Sequence, residues 1–228
     1  MNLHRCVWYL LRMPRTYGFG VQSPFAYRFI RDIVVGHSFG SASSHSSCLS
    51  PSLSCESYSV DLVSRPFCKK QMTSLQRQGY SRLFFSDNGG KSVSRLSKRQ
   101  RRIYQFIYRL CIFSSANNCF VTSDFENTVL TEILGSMNCR IVPHISTSDK
   151  IMFSVISPNF LEYDKLLDHM AANGVLVVYG IRLHRKGLDY WKQLVSDCRT
   201  FVSFDLYDLG VIFFDSKMHK RNYCCNIG

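Results

Sequence analysis

A glycine turn, a cysteine pair and three basic clusters are the parts of this chain whose residue types could do chemistry. Asp87-Asn-Gly-Gly-Lys-Ser92 ends like a phosphate-binding loop, in which backbone amides and a lysine cradle an anion. Such a loop needs a glycine five residues before its Gly-Lys pair. Phe85 stands there, and the helix that follows is basic and polar, so a hairpin or strand-to-helix turn is the better reading. Cys224-Cys225 could be a redox or soft-metal pair, but alternating in and out positions on a last strand account for it more simply. The 10 cysteines include no C-x-x-C pair and no zinc-spaced His/Cys cluster, which implies free thiols and no metal site. No Gly-x-Ser-x-Gly elbow is present, and His144, His169 and His184 read as ordinary surface residues, so no catalytic nucleophile is expected.

The basic clusters are Lys98-Arg-Gln-Arg-Arg102, His184-Arg-Lys186 and His219-Lys-Arg221, in a chain of formal net charge +12. With Tyr104 and Tyr108 nearby for stacking, they could hold a polyanion such as nucleic acid. A solvated helix face explains Lys98 to Arg102 equally well, and no nucleic-acid recognition signature accompanies them.

These residues must be carried by a chain of 228 residues with 46% apolar content, enough for one sizeable core and too apolar for wholesale disorder. Residues 38–59 hold eleven serines in twenty-two positions and little that could enter a core. That stretch reads as a loop or linker between an N-terminal helical extension, residues 1–37, and a body, residues 60–228. In the extension, Cys6-Val-Trp-Tyr-Leu-Leu11 is too short to span a bilayer and has no cleavage site, which points to a cytoplasmic protein. Trp8 and Leu11 can share a face with Arg5 and Arg12 flanking it, so the run could lie on a membrane surface. A helix packed on its own domain is the preferred reading. Gly18 and Gly20 permit a tight turn, Ser23 can cap, Pro24 suits the first helical position, and Phe25, Phe29 and Ile33 share a face.

In the body, helical spacing runs through 62–78 despite Pro66, and Ser81 to Ser92 reads as a strand ending in a glycine turn. Regular alternation follows: helix 102–113, strand 119–122, helix 126–134, strands 139–142 and 151–156, helix 160–170, strand 175–179, helix 188–195, and strands 201–206 and 211–214. Apolar strands alternating with helices imply a mostly parallel sheet covered on both faces. The last two strands have only Tyr207, Asp208 and Leu209 between them, too few for a parallel crossover, so they should pair antiparallel.

A parallel sheet ending in an antiparallel pair resembles the Rossmann-like fold of class I S-adenosylmethionine-dependent methyltransferases. Two motifs resemble one small bacterial family of that superfamily. The opening Gly-x-Gly-(Ile/Val)-x-Ser-Pro-Phe-x-(Phe/Tyr)-x-(Phe/Leu) is met by Gly18, Gly20, Val21, Ser23, Pro24, Phe25, Tyr27 and Phe29. The closing Asp-Leu-(Phe/Tyr)-x-Leu-Gly-(Ile/Val/Leu)-(Ile/Val)-Phe-Phe is met by Asp205-Leu-Tyr-Asp-Leu-Gly-Val-Ile-Phe-Phe214. Tyr190-Trp191 resembles the family's Trp-bearing helix, and Ile107-Tyr-Arg-Leu110 the helix before its first strand. The resemblance implies a methyltransferase, a transferase that binds S-adenosylmethionine.

The departures fall where that chemistry would sit. The cofactor's glycine-rich turn is replaced by Phe120-Val-Thr-Ser-Asp-Phe-Glu-Asn-Thr128, without a glycine. From Val121 to Ile151 there is too little chain for the usual strand-helix-strand insertion, and no acid follows Cys139-Arg-Ile-Val142 to hold a ribose. Lys150-Ile-Met-Phe-Ser-Val-Ile156 lacks both acids of the family's corresponding strand, and Tyr179-Gly180 replaces a later acidic pair. The expectation is therefore a methyltransferase-like basic protein with a degenerate active site, no catalytic residue, most simply no cofactor, and an interaction role with a protein or polyanion partner. The alternatives are an active divergent methyltransferase and a basic polyanion-binding module. Should a site persist, its cofactor-binding residues would be Ser123, Asp124, Asn127, Ser157, Tyr179 and Gly180.

Overall fold

The computed structural model describes residues 3–17, 20–35, 74–84, 96–122, 128–145, 150–183 and 185–227. The Ser-rich stretch 38–59, most of 62–78 and the turn Asp87 to Ser92 lie outside the described residues.

Seven strands form one sheet in the order β2-β1-β3-β4-β6-β5-β7. They are β1 Asn118–Val121, β2 Arg140–Val142, β3 Ile151–Ile156, β4 Met170–Tyr179, β5 Val202–Asp205, β6 Leu209–Phe213 and β7 Arg221–Cys224. β1 pairs in parallel with β2 and β3, and β3 with β4. β6 then runs antiparallel to both β4 and β5, as the short connection demands. β7 adds a parallel edge strand beside β5, so the antiparallel pair is internal to the sheet.

The chain alternates across this sheet, and each face has its own core. Val175, Val177, Val211 and Phe213 look toward one side. Leu176, Val178, Ile212 and Phe214 look toward the other. The first face carries α2 (Pro24–Arg28), a π-helix (Phe29–Val34), α3 (Ser74–Phe84), α4 (Lys98–Ser114) and α5 (Thr128–Ser136). The second carries α6 (Tyr163–His169) and α7 (Arg185–Ser196). A helix α1 (Leu3–Thr16) lies against β7 at the end of the sheet.

The opening and closing motifs form one packed unit. Ser23 caps α2 by accepting from the Ala26 amide, Pro24 takes the first turn, and Gly20 adopts φ +74. Phe29 then lies 4.4 Å from Phe204 and 5.1 Å from Phe213, centroid to centroid, while Phe25 meets Phe213 edge-on at 5.2 Å. Buried aromatic pairs of this kind add roughly 0.5–1.5 kcal/mol each beyond their buried area. Arg109 of α4, itself buried, donates to the carbonyls of Ile33 and Val34 and so closes the π-helix. In the closing motif, a Cβ on Gly210 would stand 2.2 Å from the Trp191 ring, which fixes glycine there and seats the Trp-bearing helix on β6.

Several expectations need correction. The strand expected from Ser81 is the last turn of α3: Tyr80 and Phe84 recur at helical spacing, their rings contact Tyr108, and the Tyr108 hydroxyl donates to the Gln76 carbonyl at 2.7 Å. A short apolar run cannot be told from helix by periodicity alone. α4 starts at Lys98, because Ser97 and Gln100 form a reciprocal capping box. β4 begins at Met170, where helix 160–170 was expected to end. The interval from Val121 to Ile151 does hold one compressed strand-helix-strand unit, β1-α5-β2, ending on a three-residue edge strand.

Candidate functional site

In an open parallel sheet, ligands settle outside the carboxyl ends of the strands where chain order reverses. Here that place is between β1 and β3, because β2 lies on one side of β1 and β3 on the other. Of the residues proposed from the sequence, Ser123, Asp124 and Asn127 lie outside the described residues. Ser157, Tyr179 and Gly180 do stand at this edge, just past the register pair Ile156/Val178. Ser157 is buried, and its hydroxyl accepts from the Asn159 amide at 3.4 Å, closing the turn after β3. Burial pushes the Tyr179 phenol up from its usual value. Gly180, at φ +79, donates its amide to the Asp208 carbonyl at 2.7 Å, and the Leu183 side chain fills the space a Cβ would need. Beside them the buried Thr122 hydroxyl has no hydrogen-bond partner among the described residues.

The described residues at the β1 and β3 ends thus offer hydroxyls and no carboxylate, and Pro143, His144 and Ile145 after β2 add none.

Further along the same edge, the carboxylates are engaged by arginines. Arg12 of α1 forks onto Asp205 at the end of β5, with Nη1 and Nη2 donating to the two carboxylate oxygens at 2.9 and 3.0 Å. Arg182 donates to the same two oxygens at 2.6 and 2.5 Å. Both guanidinium groups also face the Tyr207 ring, at 5.5 and 5.1 Å from its centroid. Tyr207 holds φ +73, a left-handed conformation rare outside glycine, and its amide donates to Asp205 Oδ1 at 2.9 Å. Burial pushes the Asp205 carboxyl up, but hydrogen bonds from Arg182 and Arg12 outweigh it and hold the group below the ordinary carboxylate range.

Next to this clamp a cavity of about 360 Å³ is lined by Tyr9, Lys98, Arg99, Arg102, Tyr207, Asp208 and their neighbours. The cations belong to the first turns of α4, where the positive end of the helix dipole makes cations unfavourable. Arg99 is offset by Asp208, to which its Nε donates at 2.7 Å. Among the described residues, Lys98 and Arg102 have no ion-pair partner. A second cavity of about 320 Å³ at the opposite edge joins Gln22 through Phe25 to Lys217, His219 and Arg221, so the third basic cluster lines it. In the middle cluster His184 is outside the described residues, and Arg185 and Lys186 are exposed at the start of α7.

The Arg12-Asp205-Arg182 clamp went unread in the sequence, where Arg12 enters only as a residue flanking the Trp8 and Leu11 face. In the structure Arg12 is 4% exposed. No local spacing signals an ion pair between residues 193 positions apart, and the sole trace is that Asp205 opens the closing motif. Among the described residues, no group of His, Cys, Asp and Glu could hold a metal ion, and no helix is long and apolar enough to cross a membrane. Neither the known protein-family models nor the curated proteins include a match to this chain.

Proposed function

We propose that this chain is a Rossmann-like member of the class I methyltransferase superfamily whose cofactor site is degenerate, and that it acts without catalysis, as an interaction module. The reading draws on the resemblance of the opening and closing motifs, on the reversal of chain order between β1 and β3, and on the single antiparallel strand β6 inside an otherwise parallel sheet. What supports the loss of the cofactor site is the stretch Phe120 to Thr128, which has no glycine where the family's cofactor turn needs one, while Asp205 and Asp208 are held by arginines. The test is thermal unfolding with S-adenosylmethionine. A ligand at 100 times its dissociation constant adds about 2.7 kcal/mol, so the expected result is no shift at millimolar cofactor. A saturable rise competed by the demethylated product would overturn the reading in favour of an active, divergent methyltransferase.

A second reading concerns what the module binds. Lys98 and Arg102, unneutralised at the start of α4 and facing a cavity with Tyr9 and Tyr207, favour an anionic partner. Such binding weakens with salt, by about 0.7 per contacted phosphate on log-log axes for a single-stranded nucleic acid. Replacing Lys98 and Arg102 by glutamine should flatten that dependence.

A further inference from the structure

Four separated parts of the chain wall the cavity beside the clamp, and hydrogen bonds hold them together. Tyr9, Arg12 and Thr16, spaced i, i+3 and i+7, share the inward face of α1. Arg12 is tied to Asp205, the Thr16 hydroxyl accepts from the Asn226 amide at 3.0 Å, and Asn226 Nδ2 donates to the Tyr9 carbonyl at 2.9 Å. The first turns of α4 add Lys98, Arg99 and Arg102, and the turn after β5 adds Leu206 and Asp208. The cavity therefore sits by the carboxyl end of β5, the kind of place where open α/β sheets receive ligands.

Two local rules are broken there. Lys98 and Arg102 are an i, i+4 pair of like charge, and both lie at the positive end of the α4 dipole with no acidic residue in the first turn. Asp208 offsets Arg99, so among the described residues two positive charges line the cavity uncompensated. The helix end itself is not the site, because Ser97 accepts from the Gln100 amide and caps it. Buried Ile103 and Leu206 give the same cavity an apolar wall. Asn226, 4% exposed, also lines it; its Nδ2 is spent on Tyr9, and its Oδ1 has no partner among the described residues. Local conflicts of this kind are expected where a ligand resolves them. The set suits a small molecule with one dianionic group and one planar ring. A phosphate monoester carries about −1.5 to −2 charges at pH 7, and about 360 Å³ lies within the roughly 300–1,000 Å³ of small-ligand pockets. We propose that this cavity binds a nucleoside monophosphate, its phosphate on Lys98 and Arg102, its base against Tyr9, Ile103 and Leu206, and a base N–H donating to Asn226 Oδ1. The proposal rests on the second reading above, that the α4 cations meet an anion, and it names the anion's class.

Isothermal titration calorimetry of the full chain with adenosine monophosphate, adenosine, inorganic phosphate and an unphosphorylated single-stranded oligonucleotide tests it. The monophosphate should bind about tenfold or more tighter than adenosine or phosphate alone, because each of these makes only part of the contacts. K98Q/R102Q should weaken it about tenfold or more, and Y9A about tenfold. K217Q/R221Q, at the second cavity, should leave it unchanged. An unfolding midpoint unchanged in K98Q/R102Q, as expected for exposed side chains, marks the loss as one of binding. Oligonucleotide binding that K98Q/R102Q weakens, without monophosphate binding, overturns the proposal and leaves the anion reading standing. Binding of neither overturns both. Equal affinity for adenosine and its monophosphate, an affinity that K98Q/R102Q leaves intact, or a larger loss in K217Q/R221Q also overturns the proposal.

Discussion

Two stretches of the same sheet are built on opposite plans. At the β5-β6 end, nearly every group is committed: Phe25 and Phe29 pack on Phe204 and Phe213, Gly210 receives Trp191, and Asp205 is held by two arginines. At the β1-β3 end, the buried Thr122 hydroxyl has no partner among the described residues, and the Ser157 hydroxyl accepts from the Asn159 amide of its own turn. The motifs that made the chain resemble a family lie at the first end, and the cofactor's place lies at the second. If the proposed reading holds, motifs kept by packing outlast the site they frame.

The largest effect that would break this contrast is at Asp205. Removing one partner of a buried ion pair costs about 3–5 kcal/mol, so Asp205→Ala should lower unfolding free energy by that order in urea titrations and leave Arg12 and Arg182 without their acceptor. A loss no larger than that of a surface substitution would mean that the clamp does not hold the edge together. The same carboxyl sets a pH limit. Its folded value lies below the unfolded value of about 3.9, so its stabilisation is complete above that value and is lost as pH falls through the lower, folded one. The wild type should therefore lose stability between about pH 4 and the folded value, and Asp205→Asn should flatten that limb.

Gly210→Ala comes next. The added methyl would overlap the Trp191 ring at 2.2 to 2.6 Å, and overpacking of this kind typically costs about 1–3 kcal/mol. The cost should shrink in a Trp191→Leu background, where the obstructing ring is gone. An equal cost in both backgrounds would place the constraint in the backbone.

What the sequence disclosed follows the same division. Local physics was readable: the Ser23-Pro24 helix start, the alternation of strands and helices, and the antiparallel pairing forced by a connection too short to cross over. The capping signature Ser97 and Gln100 was also present, but the basic residues between them masked a helix start four positions before the apolar face begins. The run at Ser81 was ambiguous until the contact of Tyr80 and Phe84 with Tyr108, far along the chain, resolved it as helix. The clamp was invisible because Arg12 and Asp205 are brought together by the whole sheet, and an arginine just past the end of an apolar run reads locally as a flank. Ser157, Tyr179 and Gly180, half of the candidate cofactor residues, stand at the carboxyl edge. Their neighbours supply turns and packing there.

The smallest expected effect tests the other end of the comparison. The buried Thr122 hydroxyl has no partner, and an orphaned buried hydroxyl costs stability that an apolar group of the same shape would not. Thr122→Val should accordingly be neutral or stabilising, by up to about 1 kcal/mol, in the urea titration that shows Asp205→Ala to be severe. It should also leave the response to S-adenosylmethionine unchanged. If Thr122→Val instead destabilises by more than about 1 kcal/mol, the hydroxyl is engaged in solution. The β1-β3 crevice would then be as fully built as the β5-β6 end, and the contrast between a packed frame and a vacated site would fail.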